Sequence, residues 1–239
     1  MPNKIEIIAE IREAILEKGA DDIWKCYQCG KCSGVCPWAV VNGINFQTCK
    51  IPQMIKLGAV MESEEKDEIA DEVKEMFLCI GCEACVNECP KGVGMMNIIR
   101  AIRRILVDFG SYPDTLKSLV QKINNVGNPL GEPRENRDKW TDGQNVHLFS
   151  PEMEFLYFSC CIPAYDKRMQ NVARATTQIL QKSKTTFGIL GTAENCCSEG
   201  IRRVGAEKVF QKVSKANITI FKKAGVKNIL VSSPHCFTV

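Results

Sequence analysis

Eight of the fourteen cysteines stand in two runs of one pattern. The first is Cys26-Tyr-Gln-Cys29-Gly-Lys-Cys32-Ser-Gly-Val-Cys36-Pro37, and the second is Cys79-Ile-Gly-Cys82-Glu-Ala-Cys85-Val-Asn-Glu-Cys89-Pro90. Both read C-x2-C-x2-C-x3-C-P, the bacterial spacing for 4Fe-4S clusters, so the chemistry on offer is one-electron transfer. A tight loop aims three thiolates at one centre, and the fourth cysteine serves the other cluster. The pattern assigns Cys26, Cys29, Cys32 and Cys89 to one cubane, and Cys79, Cys82, Cys85 and Cys36 to the second. Structural zinc would pair two short ligand elements, and a disulfide framework would need an oxidising compartment and a small secreted chain. Neither fits four cysteines in eleven residues, twice over.

Five more cysteines follow expected strands. Cys160 and Cys161 end the first, Cys196 and Cys197 follow the second, and Cys236 follows the third in Ser233-Pro-His-Cys236. Open parallel sheets bind ligands outside the carboxyl ends of their strands, so all five thiols can converge on one crevice. The competing account is a set of buried, inert cysteines. His235 beside Cys236 is a candidate proton donor near neutral pH, or a turn histidine with a structural hydrogen bond. Cys49 fits neither run and reads as a core thiol. His147 reads as structural, and Met95 and Met96 as core. Lys31, Lys91 and Arg100 either offset cluster charge, dock an acidic carrier or form a solvated face.

The elements that must hold these groups change character along the chain. Residues 3–19 read as an amphipathic helix, with Ile5, Ile8, Ile11, Ile15 and Leu16 on one face. Further helices are expected from Pro52 to Gly58, over 66–78 and from Gly94 to Asp108. Helices therefore flank both cysteine runs, which argues against a small β-rich ferredoxin. Residues 111–150 read as a linker, turn-rich from Asn125 to Arg134, with a short helix over 114–124. From 154 onward strands (155–159, 185–190, 228–232) alternate with helices (164–182, 199–205, 206–224), which predicts a parallel, Rossmann-like sheet. No G-x-G-x-x-G follows the first strand, so no nucleotide site is indicated. The expected fold is α plus α/β: an all-helical two-cluster domain over 1–110 and a cysteine-rich domain over 151–239.

Composition narrows the partners. The 239-residue chain carries a net charge of +3 and no basic block, which gives no support for nucleic-acid binding. No apolar stretch nears the ~20 residues of a spanning helix, and the N-terminus lacks the apolar region of a signal peptide. A soluble cytoplasmic protein is expected, with any membrane contact made peripherally through a partner subunit.

The spacing of the last five cysteines resembles the CCG motif, C-x(31–39)-CC-x(35–36)-C-x2-C, of heterodisulfide reductase-type proteins. Cys161 and Cys196 enclose 34 residues, and Cys197 and Ser233 enclose 35. Two positions depart: Ser233 replaces the first cysteine of C-x2-C, and Ser198 replaces the glycine after the paired cysteines. Cys160 adds a thiol beside the first position. The helical two-cluster domain resembles the small iron–sulfur subunit of the same system, and Gly127-Asn-Pro-Leu-Gly131 with Arg137 and Trp140 resembles the connector of fused versions. The resemblance implies a ferredoxin domain, the first half of a CCG domain and a third, noncubane-type cluster on Cys161, Cys196, Cys197 and Cys236. It also implies that the chain is truncated after the first of two CCG motifs.

Three readings follow. The first is an oxidoreductase subunit that passes electrons through two cubanes to a CCG-type cluster, which reduces or forms a disulfide of a thiol cofactor or carrier protein. Its donor would be a partner subunit, a membrane haem or quinone subunit among the options. The second is a pure electron-transfer subunit for a flavin-dependent glycolate, lactate or glycerol-3-phosphate dehydrogenase. The third is a structural role with zinc at the last cysteine set. In the first reading Ser233 hydrogen-bonds a cluster sulfur instead of ligating iron.

Overall fold

The structure is a computed structural model that describes residues 9–44, 46–57 and 75–239. The chain divides into two compact units at Pro113–Asp114. Of the expected helices, the one over 66–78 falls largely outside the described residues, and the one over 3–19 is described from Ala9.

The first unit is helical. Helix α1 (Ala9–Glu17) is followed by a tight turn over Asp21–Lys25, then α2 (Lys31–Gly34), α3 (Lys50–Leu57), α4 (Ala84–Asn87) and α5 (Met95–Asp108). Helix α3 starts two residues before Pro52. The ring is tolerated there because a first-turn N–H has no intrahelical partner to lose. Helix α5 organises the core: Met95, Ile98, Ile99 and Ala101 are buried along one stripe. They join Ile15, Ile23, Phe46 and Ile51 in one cluster, against which Cys26, Cys36, Cys79, Cys85 and Cys89 pack. Arg103 is also buried on α5. Its Nε donates to the Met76 carbonyl at 2.9 Å and its Nη2 to the Cys79 carbonyl at 2.8 Å. A charged donor thus fixes the backbone where the second cysteine run begins.

The second unit is α/β. Helix α6 (Asp114–Val126) leads into β1 (Phe155–Phe158), α7 (Cys161–Tyr165), α8 (Gln170–Lys182), β2 (Phe187–Gly188), α9 (Glu199–Val204), α10 (Glu207–Lys223), β3 (Ile229–Val231) and α11 (Pro234–Phe237). The three strands are parallel in the order β2-β1-β3, with Leu156 opposite both Gly188 and Ile229. A Rossmann half runs 3-2-1, whereas a central first strand is the 2-1-3 order of the other common doubly wound arrangement. The chain passes from β1 to β2 at one edge and then crosses back past β1 to β3 at the other, so the ends of β1 and β3 flank a switch point where crevices open.

Residues 114–150 pack within this unit instead of running free. Trp140 is 1% exposed and meets Tyr157 edge-on at 6.1 Å. Leu148 bridges Ile189, extending the sheet beyond β2. Buried Asn128 folds the Gly127–Gly131 turn: its Oδ1 accepts the N–H groups of Leu130 and Glu132, and its Nδ2 donates to the Glu132 carbonyl. Among the described residues, no helix is long and apolar enough to cross a membrane.

Candidate metal centres

Each cysteine run uses one backbone device. The third and fifth residues of each run take a left-handed conformation: Gln28 and Gly30 in the first, Gly81 and Glu83 in the second. Two left-handed residues turn the loop tightly enough to bring three thiols to one side. One glycine per run supplies this at no steric cost, while Gln28 and Glu83 carry the strain of a side chain at φ 63° and 61°. Short helices α2 and α4 then carry the third cysteine of each run, Cys32 and Cys85.

Two cavities gather the cysteines of the two runs. Cys26, Cys29, Cys32 and Cys89 line one cavity, and Cys36, Cys79, Cys82 and Cys85 line another. The fourth cysteine of each run has crossed to the other run's cavity. Cys85 also borders the first cavity, as does Cys49. Cys49 is therefore more than core: its N–H is held by Ser33 Oγ at 3.0 Å, in the wall of the first cavity. No spacing rule signalled it. Burial pushes Cys85 up to about 11 and also raises Cys32 and Cys79, whereas the Lys31 N–H pulls Cys29 down. A bound metal overrides such preferences, because a coordinating thiol is deprotonated outright. The thiols ring cavities, which suits multi-iron clusters whose irons each take one thiolate.

The remaining five thiols form a row in the second unit. Contact among these sulfurs holds Cys160, Cys161 and Cys197 below the ordinary thiol range and pushes Cys196 and Cys236 above it. The set thus holds thiolate character shared along five soft sulfurs, a donor chemistry that fits iron–sulfur binding.

Several neighbours hold this row in place. The Cys196 N–H donates to the Gly127 carbonyl at 2.7 Å, and Asn217 Nδ2 donates to the Cys196 carbonyl at 3.0 Å. At Gly127, φ is +75° and a Cβ would lie 2.6 Å from Asn195 Oδ1, so only glycine fits. Ser198 adopts φ 66°, the conformation for which a glycine is suited, and its Oγ donates to the Cys196 carbonyl. Cys160 sits at φ 71°, ψ 159°, a region almost reserved for glycine and costing about 1–3 kcal/mol. That turn sends β1 directly into α7 and leaves Cys160 facing Cys236. Ser233 stands at the start of α11, where its hydroxyl caps nothing. His235 Nδ1 lies 3.2 Å from Glu199 Oε2, and Glu199 also pairs with Arg203.

One buried cation faces the row. Arg137 Nη1 reaches the Cys161 sulfur at 3.6 Å, and its Nη2 and Nε donate to Glu194 Oε2 at 3.1 and 3.4 Å. Both side chains of the pair are 2% exposed. Burial works against the Arg137 charge, but Cys161 and Glu194 together outweigh it and hold the guanidinium charged. Burial pushes Glu194 up, and Arg137 pulls it back. On the other side a cavity of about 380 Å³ opens beside Cys197 and Cys236, between α10 and β3. Phe158, Phe210 and Phe221 form its apolar walls, and the Ser214 hydroxyl is buried there without a partner.

These features define a two-domain iron–sulfur protein. Residues 22–93 match the 4Fe-4S dicluster domain family, and residues 155–239 match the cysteine-rich CCG domain family. Over 89% of its length the chain is 25% identical to a subunit of the dihydromethanophenazine:CoB–CoM heterodisulfide reductase of Methanosarcina barkeri, covering 55% of that protein. It is 28% identical over 91% of its length to an EtfAB:quinone oxidoreductase of Syntrophomonas wolfei, covering 36% of it. It is 29% identical to an iron–sulfur subunit of the CoB–CoM heterodisulfide reductase of Methanopyrus kandleri, over 54% of this chain and 63% of the relative. The chain joins a 4Fe-4S dicluster domain, which carries two 4Fe-4S clusters, to a cysteine-rich CCG domain, which carries an additional iron–sulfur cluster, and in this it is similar to heterodisulfide reductase-type iron–sulfur proteins. It spans 35–38% of the first three relatives it matches, and about half of the Methanosarcina relative.

Proposed function

We propose that this chain is an electron-transferring oxidoreductase subunit that reduces, or in reverse forms, the disulfide of a thiol cofactor or thiol carrier protein. The observation that supports this most is the convergence of Cys160, Cys161, Cys196, Cys197 and Cys236 at three strand ends, beside a cavity large enough for an organic ligand. The ligands we assign are Cys26, Cys29, Cys32 and Cys89 for one cubane and Cys79, Cys82, Cys85 and Cys36 for the other. Cys161, Cys196, Cys197 and Cys236 are assigned to the third, noncubane-type cluster, in the parallel-sheet CCG domain, with Cys160 alongside. When bound, the clusters supply one-electron steps.

Disulfide cleavage consumes two electrons and two protons, R–S–S–R′ + 2 e⁻ + 2 H⁺ → RSH + R′SH. The electrons would come singly from a one-electron donor, a partner subunit bearing haem or handling quinone at the membrane, with this chain peripheral on the cytoplasmic side. The chain's own residues do the rest. The cavity between α10 and β3 seats the organic arm and keeps water from Cys197 and Cys236. His235, oriented by Glu199, holds a proton for a departing thiolate.

The likeness to an EtfAB:quinone oxidoreductase favours a second reading, an electron-transfer subunit whose chemistry lies on a partner; a flavin-dependent dehydrogenase of the glycolate, lactate or glycerol-3-phosphate type is the partner this reading would supply. The deciding experiment supplies reduced methyl viologen to the anaerobic protein and adds bis(2-hydroxyethyl) disulfide. Viologen oxidation that disappears in Cys197→Ser supports disulfide chemistry. Cubanes that reduce normally while no disulfide is cleaved support the relay.

A further inference from the structure

We propose that Arg137 is a positioning residue that sets the reduction potential of the CCG-domain cluster, and that Glu194 holds that effect in check. The inference rests on Cys161 being a ligand of that cluster. The guanidinium bonds the Cys161 sulfur at 3.6 Å and the Glu194 carboxylate at 3.1 Å, and its third neighbour is the Tyr165 ring at 5.9 Å. Arg137 is fixed from both sides. Its N–H closes the turn over Arg134–Asn136, and Glu194 is anchored by the Leu190 N–H at 3.2 Å to its other oxygen. Salt screens side chains this buried far less than surface charges, so they act strongly on the sulfur.

Reduction adds negative charge to a cluster. A cation donating to one of its thiolates stabilises the more negative state and raises the potential, whereas a nearby carboxylate lowers it. Arg137 touches the sulfur and Glu194 touches only Arg137, so the cation dominates and the anion moderates. The two residues therefore push in opposite directions on the potential, although losing either one leaves a buried charge unpaired and weakens the fold. A purely structural pair would move both readouts together.

The test is a redox titration of the reconstituted full chain, following the CCG-domain signal by electron paramagnetic resonance. Arg137→Met should shift the one-electron equilibrium at least tenfold toward the oxidised state, which is 59 mV downward. Glu194→Gln should move it upward. Arg137→Lys, which keeps the charge but not the fork, should fall between wild type and Arg137→Met. The two cubane potentials should stay within error in every variant. Where a single variant folds poorly, Arg137→Met/Glu194→Gln removes both charges, and its potential should still lie below that of wild type. Equal potentials in all variants, or downward shifts in both single variants, would overturn the proposal.

Discussion

Replacing Arg137 by Met should be among the most damaging single changes in the second unit. The guanidinium and the Glu194 carboxylate are each 2% exposed, so neither can reach water when its partner is removed. The variant leaves a buried carboxylate with one remaining backbone donor, the Leu190 N–H. Breaking a buried pair in this way costs about 3–5 kcal/mol, far above the ~0–1 kcal/mol of a surface pair. At roughly 3–5 °C per kcal/mol for a unit of this size, the melting temperature should fall by about 10–20 °C. Methionine fills most of the vacated volume, so the cavity contribution stays small. The control is Arg137→Met/Glu194→Gln, in which no charge is stranded and most of the loss should be recovered. The assay is urea unfolding read by Trp140 emission, in a background where Trp24 and Trp38 are phenylalanine. A cost under about 1 kcal/mol for Arg137→Met, or a double variant no more stable than the single one, would refute the reasoning.

Backbone strain makes a second prediction: Glu83→Gly and Gln28→Gly should each stabilise the first unit by about 0.5–1 kcal/mol in thermal unfolding, because both residues hold positive φ. Ser198→Gly relieves the same strain but loses the hydrogen bond to the Cys196 carbonyl, so its stability should stay within about 0.5 kcal/mol of wild type in the same assay. Asp22 accepts hydrogen bonds from Lys25 and from the Gly94 N–H, which hold its carboxyl below the usual aspartate range. Its contribution is therefore full above the ordinary aspartate pKa and is lost as pH falls through the lowered value. The stability gap between wild type and Asp22→Asn should be constant at neutral pH and close in acid.

Local spacing made the cubane sites legible, because a run of eleven residues carries its own turn geometry. The exchange of Cys36 and Cys89 between cavities follows from the same rule. The strand ends bearing Cys160, Cys161, Cys196, Cys197 and Cys236 were legible for a similar reason, each cysteine lying a few residues past an apolar run. The order β2-β1-β3 was not, since it depends on pairings across dozens of residues that no local pattern encodes. The single helix expected over 164–182 is in fact two, parted where Asp166 Oδ1 accepts the Met169 N–H. Pro163 and Asp166 carried that signal as local turn formers. Arg137 looked like a linker residue because its partner Glu194 lies 57 positions away. The apolar residues of the segment did mark it as ordered, and Trp140 is buried, whereas Leu130 is exposed. Cys49 reached the first cavity's wall through α3 packing, which spacing does not report.

The central claim, that the second unit carries its own redox-active cluster separate from the cubanes, is tested most directly by Cys197→Ser. The measurement is iron content and electron paramagnetic resonance on anaerobically purified protein, with and without added thiol. Wild type should hold about twelve iron at four per cluster and show a third paramagnet on oxidation in the presence of thiol. Cys197→Ser should drop to about eight iron and lose that signal while both cubane signals persist. Loss of a cubane signal in this variant, or a third signal that survives it, would contradict the account.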